Sequence, residues 1–242
     1  MKKRKLPVLL LHGFTSSLDC VKKPAETLRA AGFEVVTPSL RGHGTRWEDL
    51  RGVTAADWFE DGKKALDELS GGRKRQVAVV GLSMGGLVAL DLAIHFPDQV
   101  AVVLGAAPAL EFSNPLSPFS RYVARLVPSF PSPNAFTDQE LRRKFDTNYQ
   151  RFPTATFASL FAYSREVRGR LDQLTVPVHL IHSLKDQVVP PRATRHVLET
   201  ARSERKSVSW YSRSGHELFL DCEADAVAAE VRDFLVAFEE AL

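Results

Sequence analysis

Cysteine is nearly missing from this chain: Cys20 and Cys222 are the only two in 242 residues. Two thiols cannot build the multi-bridge framework of small secreted domains, and a chain this long buries enough apolar surface to do without one. They read as free thiols in a reducing compartment. Long apolar runs are also missing. None approaches the ~18 residues of a membrane-spanning helix. The apolar run over 6–11, which follows the basic Lys2-Lys3-Arg4-Lys5, is too short for a signal-peptide core with its cleavage site. A cytoplasmic protein without stable membrane association is expected, and the basic run reads as a solvated, frayed terminus. Charge of one sign is not in excess either. The 32 Lys and Arg face 29 Asp and Glu, interspersed, so no dense basic stripe for nucleic acid forms. Internal repeats and low-complexity segments are absent, which excludes solenoids and largely disordered chains.

What remains is an alternation of short apolar runs with helical patterns, the signature of a parallel α/β sheet. Apolar runs over 7–11, 34–37, 76–80, 100–104, 178–181 and 207–211 predict about six strands, each rich enough in Val, Ile and Leu to be covered on both faces. The spacing predicts an amphipathic helix over 57–69 and a buried, almost wholly apolar one over 86–95. A last helix over 224–242 turns Val227, Val231, Phe234, Leu235 and Phe238 to one side. The alternation breaks over 108–174. There Pro115, Pro118, Pro128, Pro131, Pro133 and Pro153 interrupt any long helix, while Phe112, Phe130, Phe152, Phe157 and other aromatics crowd the same stretch. A linker would not be so aromatic. The expected plan is an α/β core over 1–107 and 175–242, flanked by helices, with a small helical cap over 108–174 inserted after the fourth strand.

The third strand runs into Gly81-Leu82-Ser83-Met84-Gly85-Gly86, and a helix begins there. G-x-S-x-G between a strand and a helix is a sharp turn that lifts the central serine to the sheet edge. The helix N-terminus beside it favours negative charge. Ser83 is therefore the candidate nucleophile. A nucleophilic serine needs a base, and the base needs an orienting acid. Asp186 stands in the loop after the fifth strand and His216 in the loop after the sixth, just past Gly215. Both positions are where sites of parallel sheets gather. The other histidines are worse placed: His95 at a helix end, His179 inside a strand, His196 on a helix. His182, at a strand end, is the nearest rival for the base.

Reaction at a carbonyl also needs donors for an oxyanion. His12-Gly13-Phe14-Thr15 follows the first strand, and the backbone N–H groups of Phe14 and Met84 are the candidates by position. His12 is expected to brace its loop, and Thr15 and Ser16 to stand near the site. Arg41-Gly42-His43-Gly44 follows the second strand, where the glycines suggest a tight loop. His43 is expected to serve as a structural or wall residue.

Together these segments resemble the α/β-hydrolase superfamily, and within it the small bacterial carboxylesterases and monoacylglycerol lipases. The matching pieces run in family order from Leu11-His12-Gly13-Phe14-Thr15 to Ser214-Gly215-His216, by way of Arg41-Gly42-His43-Gly44, Gly81 to Gly86, and Asp186-Gln187-Val188-Val189-Pro190. The resemblance implies a Ser83–Asp186–His216 triad with an oxyanion hole at the Phe14 and Met84 amides. It implies a serine hydrolase of short- to medium-chain acyl esters, monoacylglycerols among them, working through an acyl-serine intermediate with neither metal nor organic cofactor. A small-molecule ester is the expected partner, to a monomer or homodimer. The resemblance leaves open a thioesterase, a carbon–carbon hydrolase or lyase, and a non-catalytic ligand-binding signalling protein of the same fold. Dehalogenases and epoxide hydrolases of this fold carry an aspartate where Ser83 stands.

Overall fold

The computed structural model describes residues 5–241, so Lys2, Lys3 and Arg4 of the basic run, and Leu242 at the expected end of the last helix, lie outside the described residues. In chain order the core elements before the insertion are β1 (Val8–Leu11), α1 (Asp19–Ala30), β2 (Val35–Val36), α2 (Ala55–Leu69), β3 (Val77–Leu82), α3 (Met84–His95) and β4 (Val100–Ala106). The insertion holds α4 (Ser120–Val123), β5 (Ser129–Pro131), α5 (Gln139–Phe145), β6 (Arg151–Pro153) and α6 (Thr154–Arg168). The core resumes with β7 (Val178–Ser183), α7 (Arg192–Thr200), β8 (Lys206–Tyr211) and α8 (Ala224–Glu240).

Six strands form one sheet in the order β2-β1-β3-β4-β7-β8, and every pairing is parallel. All strands therefore point their C-terminal ends to the same edge, where the loops that follow them converge. Alternate residues of each strand face opposite sides. In β1, Leu9 and Leu11 join the core under α2 and α3 with Trp58, Leu66 and Leu87. Val8 and Leu10 join the core under α1 and α8 with Val21, Leu28, Val231 and Leu235. This is why β1, β3 and β4 read as unbroken apolar runs: each is buried along its whole length.

The helices start where their caps allow. α2 begins two residues ahead of its apolar pattern because the Asp57 carboxylate accepts the Thr54 N–H at 2.9 Å, closing a capping box. α3 begins at Met84, directly on the turn, and is buried on nearly all sides. Among the described residues no helix is long and apolar enough to cross a membrane.

Two expectations need correction. The outer strands β2 and β8 are not covered on both faces: their residues are exposed or half-buried, because they are the two edges of the sheet. The insertion, expected to hold short helices alone, also contains an antiparallel pair, β5 with β6. Pro131 and Pro153 sit at the ends of these three-residue strands, where the missing N–H interrupts little. Proline does not recur between 153 and 177, so α6 runs for 15 residues. Its Leu160, Tyr163 and Val167 pack into the same buried cluster as α3.

Candidate active site

The site is built first by the turn between β3 and α3. A Cβ on Gly81 would run into the Gly85 backbone, and one on Gly85 into the carbonyls of Leu11 and His12. Two bare backbones can therefore close a turn that side chains would hold open. Ser83 at its apex takes φ 55° and ψ −114°, a strained conformation for a residue with a Cβ. It is held there by its N–H to the Ala106 carbonyl at 2.8 Å and by its own carbonyl, which accepts the N–H groups of Leu87 and Ala109.

The loops after β7 and β8 bring the other two candidates to this serine. His216 Nε2 is 2.8 Å from Ser83 Oγ, and His216 Nδ1 is 2.7 Å from Asp186 Oδ2. A carboxylate can only accept, so the His216 proton sits on Nδ1 and Nε2 is left to accept the serine hydroxyl. The other Asp186 oxygen, Oδ1, accepts the N–H groups of Val188 and Val189 at 2.8 and 2.9 Å. Burial pushes the Asp186 pKa up, but the facing His216 and the N–H donors of His182 and His216 outweigh it and hold the carboxyl well below the usual range. Burial pushes His216 down, while the Asp186 charge and hydrogen bond, helped by Glu217, push it up; the net position is above the ordinary 6.5.

The loop after β1 passes beside Ser83, since a Cβ on Gly13 would stand 3.6 Å from Ser83 Cβ. Among the described residues, the N–H groups of Phe14 and Met84 have no hydrogen-bond partner. His12 braces this loop, with Nδ1–H donating to the Gly13 carbonyl at 2.9 Å and Nε2 accepting the Leu40 N–H at 3.0 Å. His43 is a buried brace as well: its Nε2 accepts the Thr15 N–H at 3.1 Å. Thr15 lines the site cavity, whereas Ser16 is buried behind it. His95 and His179 lie elsewhere, bonded to the Asp91 carbonyl and to Glu230, and His196 is next to Thr200. His182 does not reach Ser83; it lies behind Asp186, Nε2 to Oδ2 at 3.2 Å.

Ser83 and His216 open onto a cavity of about 430 Å³. The insertion supplies its apolar wall, with Phe112, Phe130, Phe152, Phe157 and Leu160. Other aromatics of that stretch instead face solvent, Phe119 and Tyr122 at 56% and 54% exposure. Asn148 and Glu217 are among the polar lining residues that the sequence did not single out. Asn148 Nδ2 donates to Glu217 Oε1 at 2.9 Å. Asn148 Oδ1 and Glu217 Oε2 are buried with no partner among the described residues. Burial pushes the Glu217 pKa up. The one sequence signal was the position of Glu217 directly after His216; nothing local told that it would be buried. Cys20 and Cys222 are both free, the first buried, the second exposed.

The family model for serine aminopeptidases, S33, matches residues 2–223. A thermostable monoacylglycerol lipase of Bacillus sp. (strain H-257) is 30% identical over 232 residues, covering 94% of this chain and 89% of the relative. A carboxylesterase of Bacillus subtilis (strain 168) is 25% identical, covering 94% of this chain and 91% of its own. Among solved structures, one from the metagenome-derived lipolytic enzymes LipS and LipT superposes with a TM-score of 0.89 at 26% identity, over 96% of this chain and 94% of that one.

Proposed function

The chain belongs to the serine aminopeptidase S33 family and has the α/β-hydrolase fold, and on that premise we propose that it is a carboxylic ester hydrolase working through an acyl-Ser83 intermediate. Ester hydrolysis follows from its similarity to the lipase and the carboxylesterase above. The observation that supports the mechanism is the hydrogen-bonded line from Asp186 through His216 to Ser83, ending in an apolar cavity.

As Ser83 Oγ attacks the ester carbonyl, its proton passes to His216 Nε2. Asp186 keeps the imidazole in the Nδ1–H tautomer and stabilises its cationic form. The carbonyl oxygen becomes an oxyanion facing the N–H groups of Phe14 and Met84; losing one such donor costs about 2.7–4 kcal/mol in comparable sites. The bond to the alcohol oxygen then breaks, and His216 returns the proton to the departing alcohol. Water, deprotonated by the same His216, attacks the acyl-serine, and the acid leaves as Ser83 regains its proton.

The insertion over 108–174 serves as the cap, and its phenyl groups take an apolar acyl chain of short to medium length. Asn148 and Glu217, which line the cavity, give it a polar side that suits an alcohol still carrying hydroxyl groups, as a monoacylglycerol does.

The test is hydrolysis of chromogenic esters from acetyl to palmitoyl, wild type beside Ser83→Ala. A peak at one chain length is expected, with kcat reduced by about 10⁶ in the variant. Retention of a tenth of the wild-type rate overturns the nucleophile assignment. A monoacylglycerol is then compared with the ethyl ester of the same acid. Asn148→Leu is expected to cut the preference for the glycerol ester by about tenfold; an unchanged ratio removes the hydroxyl reading.

A further inference from the structure

His182 stands four residues before Asp186, at the end of β7, and its side chain is wholly buried. Its Nε2 faces two groups that can only accept: Asp186 Oδ2 at 3.2 Å and the Val189 carbonyl at 3.1 Å. A bare nitrogen there would set three acceptors against one another in a dry interior, so the ring proton must be on Nε2. Nδ1 then accepts the Thr194 hydroxyl at 2.6 Å, which holds the tautomer from the far side. The Trp210 ring stacks on His182 with centroids 6.1 Å apart. Among the described residues, Asp186 is the only charged group paired with this imidazole, and Arg195 of α7 stands over the neighbouring Trp210 ring, 5.4 Å from its centroid.

We infer that His182 is a positioning residue for the candidate triad, donating through Nε2–H to the same Asp186 oxygen that holds His216. This inference rests on the proposed serine mechanism and adds a fourth member to it. Asp186 then has four donors, two backbone N–H groups on Oδ1 and two imidazole N–H groups on Oδ2. A carboxylate so surrounded is held against rotation, and each of the four donors favours its ionised form. The two imidazoles also compete for one oxygen. The share of its charge drawn by His182 is withheld from His216, so His182 restrains the basicity of the base. Removing it concentrates that charge on the His216 proton and raises the His216 pKa.

The test needs no substrate in its first arm. NMR titration of the imidazole nitrogens of the full chain reads both the His182 tautomer and the His216 midpoint. Protonated Nε2 and bare Nδ1 are expected at His182; the opposite tautomer overturns the assignment. In His182→Leu the His216 midpoint is expected to rise by about 0.5–1 pH unit. His182→Gln, whose amide N–H reaches the Nε2 position, is expected to bring it back. His182→Asn keeps a polar group but stops short of Oδ2, so it is expected to behave as His182→Leu does; it serves if the leucine variant does not fold. An unmoved midpoint in a folded Leu or Asn variant, or a Gln variant no closer to wild type than these, overturns the inference. In the second arm, ester hydrolysis is expected to lose about tenfold in kcat with KM nearly unchanged in His182→Leu, and to recover in His182→Gln. Ser83→Ala run alongside separates the two claims. Turnover that survives it defeats the serine mechanism, whereas turnover that it abolishes, with kcat of folded His182→Leu within twofold of wild type, defeats only the role of His182.

Discussion

His12 and His43 each hold the other's loop. His12, after β1, accepts the N–H of Leu40 in the loop after β2, and His43, in that second loop, accepts the N–H of Thr15 in the first. Their rings meet edge to face at 4.8 Å. Each must be neutral at Nε2 to accept, and burial supports this, lowering His12 to about 4 and His43 to about 3 from an ordinary 6.5. The amide of Phe14 is therefore positioned by a cross-brace that protonation would break.

The brace has a consequence for acid stability. Both folded-state values lie below the unfolded one, so the unfolded chain takes up protons first as pH falls. Stability is full above 6.5 and is lost on the way down to about 4 for His12 and about 3 for His43. Each histidine contributes a slope of about 1.4 kcal/mol per pH unit inside its window. Urea unfolding of His43→Gln is expected to show a shallower loss than wild type between pH 6 and pH 4, by about that slope. Equal slopes would mean that His43 does not fold neutral.

In the proposed mechanism the base sets the pH dependence of turnover. His216 must be neutral at Nε2 to accept the serine proton, and Asp186 with Glu217 holds its pKa above 6.5 despite burial. Ester kcat/KM is expected to rise with pH through one limb lying above 6.5. Glu217 adds to the upward push, so Glu217→Gln is expected to move the limb to lower pH. A limb that stays in place places the controlling group elsewhere.

Glu217 also carries a stability cost of known sign. Burial raises its pKa, so the folded chain holds the proton more tightly than the unfolded chain does. Its contribution is favourable only at low pH and fades as pH climbs from the unfolded value toward the folded one. Glutamine removes the charge and supplies a donor next to the unpartnered Asn148 Oδ1. Glu217→Gln is expected to raise Tm by about 2–4 °C at pH 8, the shift of roughly 1 kcal/mol in a chain of this size, and by nothing near pH 4. An equal rise at both pH values would attribute the gain to packing alone.

The glycines of the two loops at Ser83 predict opposite outcomes for one substitution. In Gly81→Ala the new Cβ meets the backbone of Gly85 and Gly86, which cannot yield without opening the turn. A loss above about 4 kcal/mol or failure to fold is expected. In Gly13→Ala the nearest atoms are 3.6 and 3.7 Å away, ordinary contact, so thermal unfolding within a few degrees of wild type is expected.

If the insertion serves as the proposed cap, its phenyl wall predicts chain-length selection. Phe157 packs edge-on against Phe112 at 5.0 Å and beside Phe152 at 5.4 Å, and all three line the cavity. Phe157→Ala opens that wall, and kcat/KM for the longest acyl esters is expected to rise by about tenfold relative to butyrate. An unchanged profile would place the acyl chain on another side of the cavity.

The features legible in the sequence were those set by a few consecutive residues. A strand that must reverse into a helix needs Gly81 and Gly85 around Ser83, and that demand is local. The strand ends carrying Asp186 and His216 could be placed because parallel strands share one edge. Helix α3 was legible because residues apolar on every side admit only burial. The tertiary structure alone decided what depends on partners far along the chain. Asn148 and Glu217 meet across 69 positions; β5 with β6 is joined by backbone pairing that no strand alternation announced; β8 lies open because of where the sheet stops. His182 shows the division most plainly. Its place at a strand end was readable, and made it a rival for the base. Only the packing of α7, β8 and the loop after β7 around it turned its ring to the back of Asp186, because the direction of a buried imidazole is set by the acceptors and donors that surround it.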